Sequence, residues 1–412
     1  VSPTVWQGLP RQQKALADVT VIGAGPAGAL LAYLLATHGL RVILLEKVRL
    51  PRVKPCGGGL NQKTVALLPF AITSVVERVV QRLVFTQNLR HAFTRIYPEP
   101  LVTLVTRCRF DHFLVQQAAA VGVQVYDNCR VTRLENGTRH VTLHAHSLSW
   151  HSRYIAFADG ARGTLRRQLG FAATAPHDIG LDMEVAVGPE CPWTPEALYI
   201  DWGSWPQCYA WAFPKADHWS IGVKGPAPQS SLLVSYLRQF MQCWQLQPAN
   251  GKLPYLAHML PTRLPGMPLV RGRALVLGDA AGLLEPFTGE GIYYALRSAY
   301  LAADALLHAS ANNTSPLAYE AAIDTEIMPE LHAARALQKL FDTCPRLLHF
   351  LVRRRPRYWH ALAKILRGER GFSDVERVLR RHPYLGHGLL WIQRLGQVES
   401  ASPGLLRQAG RR

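Results

Sequence analysis

Paired cysteines, acidic side chains and long apolar runs are what this 412-residue chain lacks. Its seven cysteines (Cys56, Cys108, Cys129, Cys191, Cys208, Cys243 and Cys344) are odd in number, scattered, and never spaced as CxxC. That spacing speaks against a zinc site or a disulfide framework, so no metal and a reducing, cytoplasmic setting are expected. No apolar stretch is long and clean enough to read as a membrane span. The best candidate, residues 21–45, is interrupted by a glycine turn, His38 and Arg41, and strand, helix, strand explains it better. Residues 1–17 carry Arg11 and Lys14 but no apolar run, so no secretory signal is expected there. There is no internal repeat and no low-complexity segment.

The shortage of acid leaves Lys and Arg at 46 against 28 Asp and Glu, a net charge of +18. From Leu340 onward fifteen basic residues face five acidic ones, interleaved with aromatics as in Phe350-Leu-Val-Arg353-Arg354-Arg355-Pro-Arg357-Tyr358-Trp359. A solvated face, an acidic partner protein or an anionic membrane surface would each suit such a tail. Nucleic acid is not expected as a partner, because no recognised binding motif accompanies the charge.

What is present begins with Asp18-Val-Thr-Val-Ile-Gly23-Ala-Gly25-Pro-Ala27-Gly28, a β-branched strand running into a glycine turn and an apolar helix over 26–37. Gly23 allows the tight turn, Gly25 lets backbone approach a pyrophosphate, and Gly28 lets helix and strand pack closely. The free N–H groups and dipole of the helix face the anion. The next strand, Arg41-Val-Ile-Leu-Leu-Glu46, ends in a carboxylate followed by Lys47, where a ribose hydroxyl would be held. This is a dinucleotide site.

Three further signals stand at strand ends. Arg107-Cys-Arg-Phe110-Asp111 opens a helix continuing over 110–121. Ala158-Asp159-Gly160 closes a strand, after a strand pair at 130–135 and 140–150. Gly278-Asp279-Ala-Ala-Gly282 closes another and runs on to Gly289-Glu290-Gly291-Ile292, ahead of a helix over 290–307. Between about 178 and 265, clustered Trp and Pro with β-like runs indicate a sheet. Everything after about 315 reads as helical and basic.

In this order the motifs resemble the flavoproteins built like p-hydroxybenzoate hydroxylase, in which the Arg helix and both Asp motifs contact FAD. Two more narrow the resemblance: Pro51-Arg52-Val53-Lys54-Pro55-Cys56-Gly57-Gly58-Gly59-Leu60, and Tyr209-Ala-Trp211-Ala-Phe213-Pro214-Lys215 with Gly222 beyond it. This pair is similar to the geranylgeranyl reductase family, with its Cys-Gly-Gly segment beside the flavin and its YxWxFP strand lining the substrate cavity. One departure stands out: where the family often continues into GxG, the text here is Gly222-Val-Lys224-Gly225.

The resemblance implies an α/β fold. Residues 15–65, 105–175 and 266–310 would form a discontinuous Rossmann-type FAD-binding domain. Residues 66–104 and 176–265 would form an inserted antiparallel-sheet substrate domain, and 311–412 a basic helical C-terminal region. It implies FAD held by Gly23, Gly25, Ala27, Gly28, Glu46, Lys47, Arg107, Asp159, Asp279, Gly289, Gly291 and Ile292. Cys56, Gly57 and Gly58 would do the chemistry, and Tyr209, Trp211, Phe213 and Pro214 would line the prenyl channel. Gly57 to Gly59 would let backbone approach the flavin ring. The alternating aromatics would form a wall for a polyprenyl lipid or prenyl diphosphate.

With no second dinucleotide fingerprint, NADPH binding transiently or reduced ferredoxin, an acidic electron carrier, would supply electrons. Trp359 and Trp391 would sit at a membrane interface in peripheral attachment. Two alternatives stay open: a flavin monooxygenase or halogenase, since YAWAFP has the rhythm of the halogenase WxWxIP stretch, and a non-catalytic prenyl-lipid binder.

Overall fold

The computed structural model describes residues 16–381 except 138–139, 146–147, 173–175, 187–192, 203–204, 245, 247–253 and 265. The expectations for residues 1–15 and 382–412, Trp391 among them, lie outside the described residues.

Leu16–Ile22 is the centre of an eight-stranded sheet. It pairs in parallel with Val42–Leu45 on one side and Leu148–Phe157 on the other, and parallel pairing extends outward to Gln124–Tyr126 and Ala274–Val276. Every residue of Val42–Leu45 is buried, as expected of a strand covered on both faces. Helix Pro26–Thr37 lies on this sheet, with Pro26 at its first turn and Leu30, Leu31 and Leu35 at 1% exposure or less. Each such side chain withdrawn from water contributes about 2 kcal/mol. Helix Ile292–Asn312 packs against it.

The segment 140–150 is not one strand. Val141–Ala145 pairs antiparallel with both Arg133–Asn136 and the start of Leu148–Phe157.

A seven-stranded sheet follows the order Leu256–Pro261, Pro176–Val185, Trp219–Pro226, Tyr209–Pro214, Ala197–Trp202, Arg82–Gln87, Arg90–Ile96. One of its pairings, Ala197–Trp202 with Arg82–Gln87, is parallel. The chain leaves and returns between these two strands, so a hairpin cannot join them. Helix Ser230–Cys243, which the reading of 178–265 as sheet overlooked, covers this sheet with Leu233, Tyr236, Leu237, Phe240 and Met241 buried. Their i, i+3, i+4 spacing is helical, and it stands between runs that alternate as strands do. A third, three-stranded sheet joins Gly59–Asn61, Val102–Val105 and Val76–Val80.

The C-terminal region is a succession of helices: Ala318–Glu326, Met328–Thr343, Pro345–Arg354, Pro356–Arg367 and Phe372–Arg381. Pro345 and Pro356 each open a helix at a position where the missing N–H costs nothing, which splits one basic, apolar text into separate rods. Trp359 is not at the surface: it is 3% exposed, and its indole N–H donates to the Ile96 carbonyl at 3.0 Å. An indole in the middle of an amphipathic helix was drawn against the seven-stranded sheet, leaving Phe350, 52% exposed, as the outward aromatic. Among the described residues no helix is long and apolar enough to cross a membrane.

Candidate active site

One cavity of about 810 Å³ opens at the carboxyl ends of the parallel strands and continues along the aromatic strand of the second sheet. It is within the usual size range for a cofactor or ligand site. Gly23, Gly25, Ala27, Glu46, Lys47, Cys56, Gly57, Gly58, Arg107, Asp159, Asp279, Gly289, Gly291 and Ile292 all line it, as do Tyr209, Trp211 and Phe213. Gly28 and Pro214 do not. Gly28 packs strand to helix, since a Cβ there would stand 1.9 Å from the Gly23 carbonyl oxygen. Pro214 ends its strand opposite Trp219 and is buried away from the cavity.

The turn is built for a phosphate. Gly23 has φ +104°, and a Cβ there would meet the Ala158 carbonyl oxygen at 2.3 Å, so only glycine fits. Gly25 precedes the helix with no side-chain cap, leaving the first-turn N–H groups free for an anion. Glu46, 4% exposed, accepts the Ala24 N–H through Oε2 at 3.0 Å and the Val48 N–H through Oε1 at 3.2 Å. A cradle that a Cβ would fill, a glycine-headed helix and a carboxylate at the second strand's end together fit the diphosphate and ribose of FAD.

An ion network links these parts. Arg52 reaches Glu46 Oε2 and Asp111 Oδ2, both at 3.2 Å, and Arg107 holds Asp111 through two bonds of 2.8 and 2.9 Å. Burial alone would weaken the Arg107 cation, but Asp111 and Cys56 beside it hold its pKa above the ordinary arginine value. Asp111 therefore serves the cation that lines the cavity. Lys54 lies 3.4 Å from Asp279 Oδ2, and His258 Nε2 lies 3.2 Å from both. Burial would raise the Asp279 carboxyl; Lys54 and His258 outweigh it and hold it below the usual carboxylate range. Asp159 is held by Arg166 at 3.0 Å, yet burial still raises its pKa. Arg52, Lys54, His258 and Asp182 are cavity residues that motif reading passed over. Arg52 and Lys54 stand inside the quoted glycine segment, while His258 and Asp182 carry no local signal.

The glycine segment and the aromatic strand form a single wall. A Cβ on Gly57 would lie 2.9 Å from the Phe213 ring and 3.0 Å from Trp211 Nε1. Gly58, with φ +64°, would put one 2.0 Å from the Val105 carbonyl oxygen. Glycine is thus required here for packing against protein. The Cys56 N–H donates to Asp182 Oδ2 at 3.1 Å, Asp182 Oδ1 accepts the Ser220 hydroxyl at 2.7 Å, and Cys56 Sγ accepts the Gly58 N–H at 3.4 Å. Tyr209, Trp211 and Phe213 share one face, with successive ring centroids 5.8 and 6.4 Å apart. Lys224 stands opposite Tyr209 in register, pairs with Asp178 at 3.1 Å and donates to the Pro286 carbonyl. Its stem narrows this end of the cavity. Ile365, Leu366 and Phe372 close the cavity from the C-terminal helices.

Fold and site define an FAD-dependent oxidoreductase whose cavity continues along an aromatic wall. A family profile described as an FAD binding domain matches residues 16–199. The uncharacterized protein Mbar_A1602 of Methanosarcina barkeri is 30% identical over 300 residues, 70% of this chain and 74% of that one. The geranylgeranyl diphosphate reductase of Rhodobacter capsulatus is 28% identical over 305 residues, 70% of this chain and 75% of that one. In fold, the chain resembles a geranylgeranyl bacteriochlorophyll reductase-like structure from Thermoplasma acidophilum, with a TM-score of 0.69, 21% identity and coverage of 85% and 99%. The flavin-dependent brominase Bmp2 superposes with a TM-score of 0.70 at 18% identity, covering 90% and 100%. The chain belongs to the geranylgeranyl reductase family of FAD-binding flavoproteins.

Proposed function

We propose that this reductase saturates carbon–carbon double bonds of a geranylgeranyl or other polyprenyl chain. One observation carries the reading: the Cys-Gly-Gly segment and the aromatic strand are a single wall of the FAD cavity, with Gly57 against Phe213 and Trp211. An isolated alkene needs a hydride donor, a proton donor and a dry, aligned site. Bound FAD, once reduced, supplies the hydride. The residues of the chain supply the rest. Gly23, Gly25 and Glu46 hold the cofactor's diphosphate and ribose. Tyr209, Trp211 and Phe213, closed over by Ile365, Leu366 and Phe372, hold the lipid and exclude water. Cys56 Sγ, beside the Arg107 guanidinium, is positioned to pass a proton.

NADPH or reduced ferredoxin delivers the electrons, the latter drawn to the basic surface. The basic C-terminal region rests on an anionic membrane, from which the lipid enters.

The test is anaerobic. Reduced protein is given geranylgeranyl diphosphate, and flavin reoxidation is followed together with lipid mass. The expected outcome is reoxidation with a gain of two hydrogens per double bond. A flavin that stays reduced with geranylgeranyl diphosphate, and is reoxidised only when oxygen is admitted, turns the reading to oxygen chemistry or to another prenylated substrate.

A further inference from the structure

Behind the glycine wall stands a buried cation that the chemistry above does not use. Lys215 follows the aromatic strand at a turn, where its N–H donates to the His218 carbonyl at 2.8 Å. It is 3% exposed, and its ammonium donates to the carbonyls of Gly57 at 2.7 Å and Val105 at 2.9 Å. Val105 in turn donates its N–H to the Gly58 carbonyl at 2.9 Å, so the glycine segment is tied to its neighbours at two successive carbonyls.

Other buried cations here face a carboxylate: Lys224 faces Asp178, Arg107 faces Asp111, Arg166 faces Asp159. Among the described residues none is in ion-pair contact with Lys215. At longer range it faces Cys56, Asp182, Glu77 and Glu184, while the Arg78 guanidinium donates to its backbone carbonyl at 2.7 Å. Burial brings the Lys215 pKa down to about 8, which leaves the ammonium predominant at neutral pH. A charge in a low-dielectric interior without a close counter-ion acts strongly on what binds nearby.

We infer that Lys215 is a positioning and redox-tuning residue. Through the Gly57 carbonyl it holds the glycine wall, and its unpaired charge favours the reduced, negatively charged form of a flavin bound against that wall. The inference rests on the proposed function only in placing the flavin ring there.

The experiment measures the reduction potential of bound FAD by anaerobic dye equilibration from about pH 6 to pH 10, a range that brackets the lysine's titration. It compares wild type, Lys215→Met and Lys215→Arg, with FAD content read alongside. Lys215→Met is expected to keep FAD and to show a lower potential at neutral pH. The gap should close above about pH 8, where the wild-type lysine is itself neutral. Lys215→Arg should keep a potential near wild type. Equal potentials for wild type and Lys215→Met, or a gap unchanged to high pH, overturn the inference.

Should Lys215→Met lose FAD, wild type and Cys56→Ala decide between them. An inflection near pH 8 in both supports Lys215; none in the wild type, or its loss with the thiol, overturns it. No alkene is present in these measurements, so failure of the reductase reading leaves them intact.

Discussion

Gly222 lies directly beneath the indole of Trp211. The two are paired across adjacent strands, and a Cβ at 222 would stand 2.2 Å from the ring and 2.4 Å from the Leu181 carbonyl oxygen. The glycine is therefore what allows Trp211 to lie flat in the cavity wall, with its N–H on Ser220 Oγ at 3.4 Å. Gly222→Ala must displace either the indole or a strand. Overpacking of this kind costs about 1–3 kcal/mol. Thermal unfolding should show a lowered Tm, and KM for a prenyl substrate should rise while FAD content holds.

Cys56 is held by its backbone to Asp182 while its thiol stands beside Arg107. The main-chain bond does not need the side chain, so Cys56→Ala should preserve the wall and the FAD. Alkene reduction is expected to fall about 10²–10⁴-fold, the range typical of a lost proton-transfer group. Cys56→Ser should fall between. Flavin absorbance and single-turnover reoxidation separate the two effects, and full turnover in the alanine variant would make Cys56 a packing residue.

His349 ties the C-terminal helices to the seven-stranded sheet. Its Nδ1 accepts the Trp202 indole N–H at 3.0 Å, which places the ring proton on Nε2, where it donates to the His91 carbonyl at 2.9 Å. Only the neutral ring makes both bonds. Burial outweighs the bond to the His91 carbonyl and, with Arg353 beside the ring, holds its pKa below the ordinary 6.5. The unfolded chain thus binds this proton more readily than the folded one, so the contribution is complete above about pH 6.5 and is lost as pH falls through the folded value. Stability measured by denaturant unfolding should drop on acidification below about pH 6.5. His349→Gln should flatten that slope.

The elbow at Arg353, Arg354, Arg355 and Arg357 is exposed and wholly basic, with Phe350 outward beside it. Each basic residue near an anionic bilayer contributes about 1 kcal/mol. Replacing Arg353, Arg354 and Arg355 with Gln should weaken sedimentation with phosphatidylserine vesicles by roughly 100-fold, and added salt should mimic the change. Trp359→Phe should leave binding unchanged, because that ring is buried against the seven-stranded sheet. Binding indifferent to salt would refute the membrane role.

The strand, glycine turn, helix and terminal Glu46 were legible because each lies within a few residues of the next, and backbone geometry at Gly23 admits no other residue. The same holds for the family resemblance, which rested on contiguous motifs. Helix 230–243 was not legible, since its short helical pattern stands between β-like runs on either side. Nor was the inward turn of Trp359, because an amphipathic helix does not state which neighbour will take its apolar side.

By itself, the sequence determined the dinucleotide fold, the basic surplus and the aromatic alternation. All of these follow from local conformational preference and side-chain period. Only the tertiary structure decided that Asp182 meets the backbone of Cys56, that His258 joins Lys54 at Asp279, and that Lys215 stays buried without a carboxylate. Those contacts join residues as much as 225 positions apart, from Lys54 to Asp279. Their electrostatics depend on which groups lose water together, and no short stretch of chain carries that information.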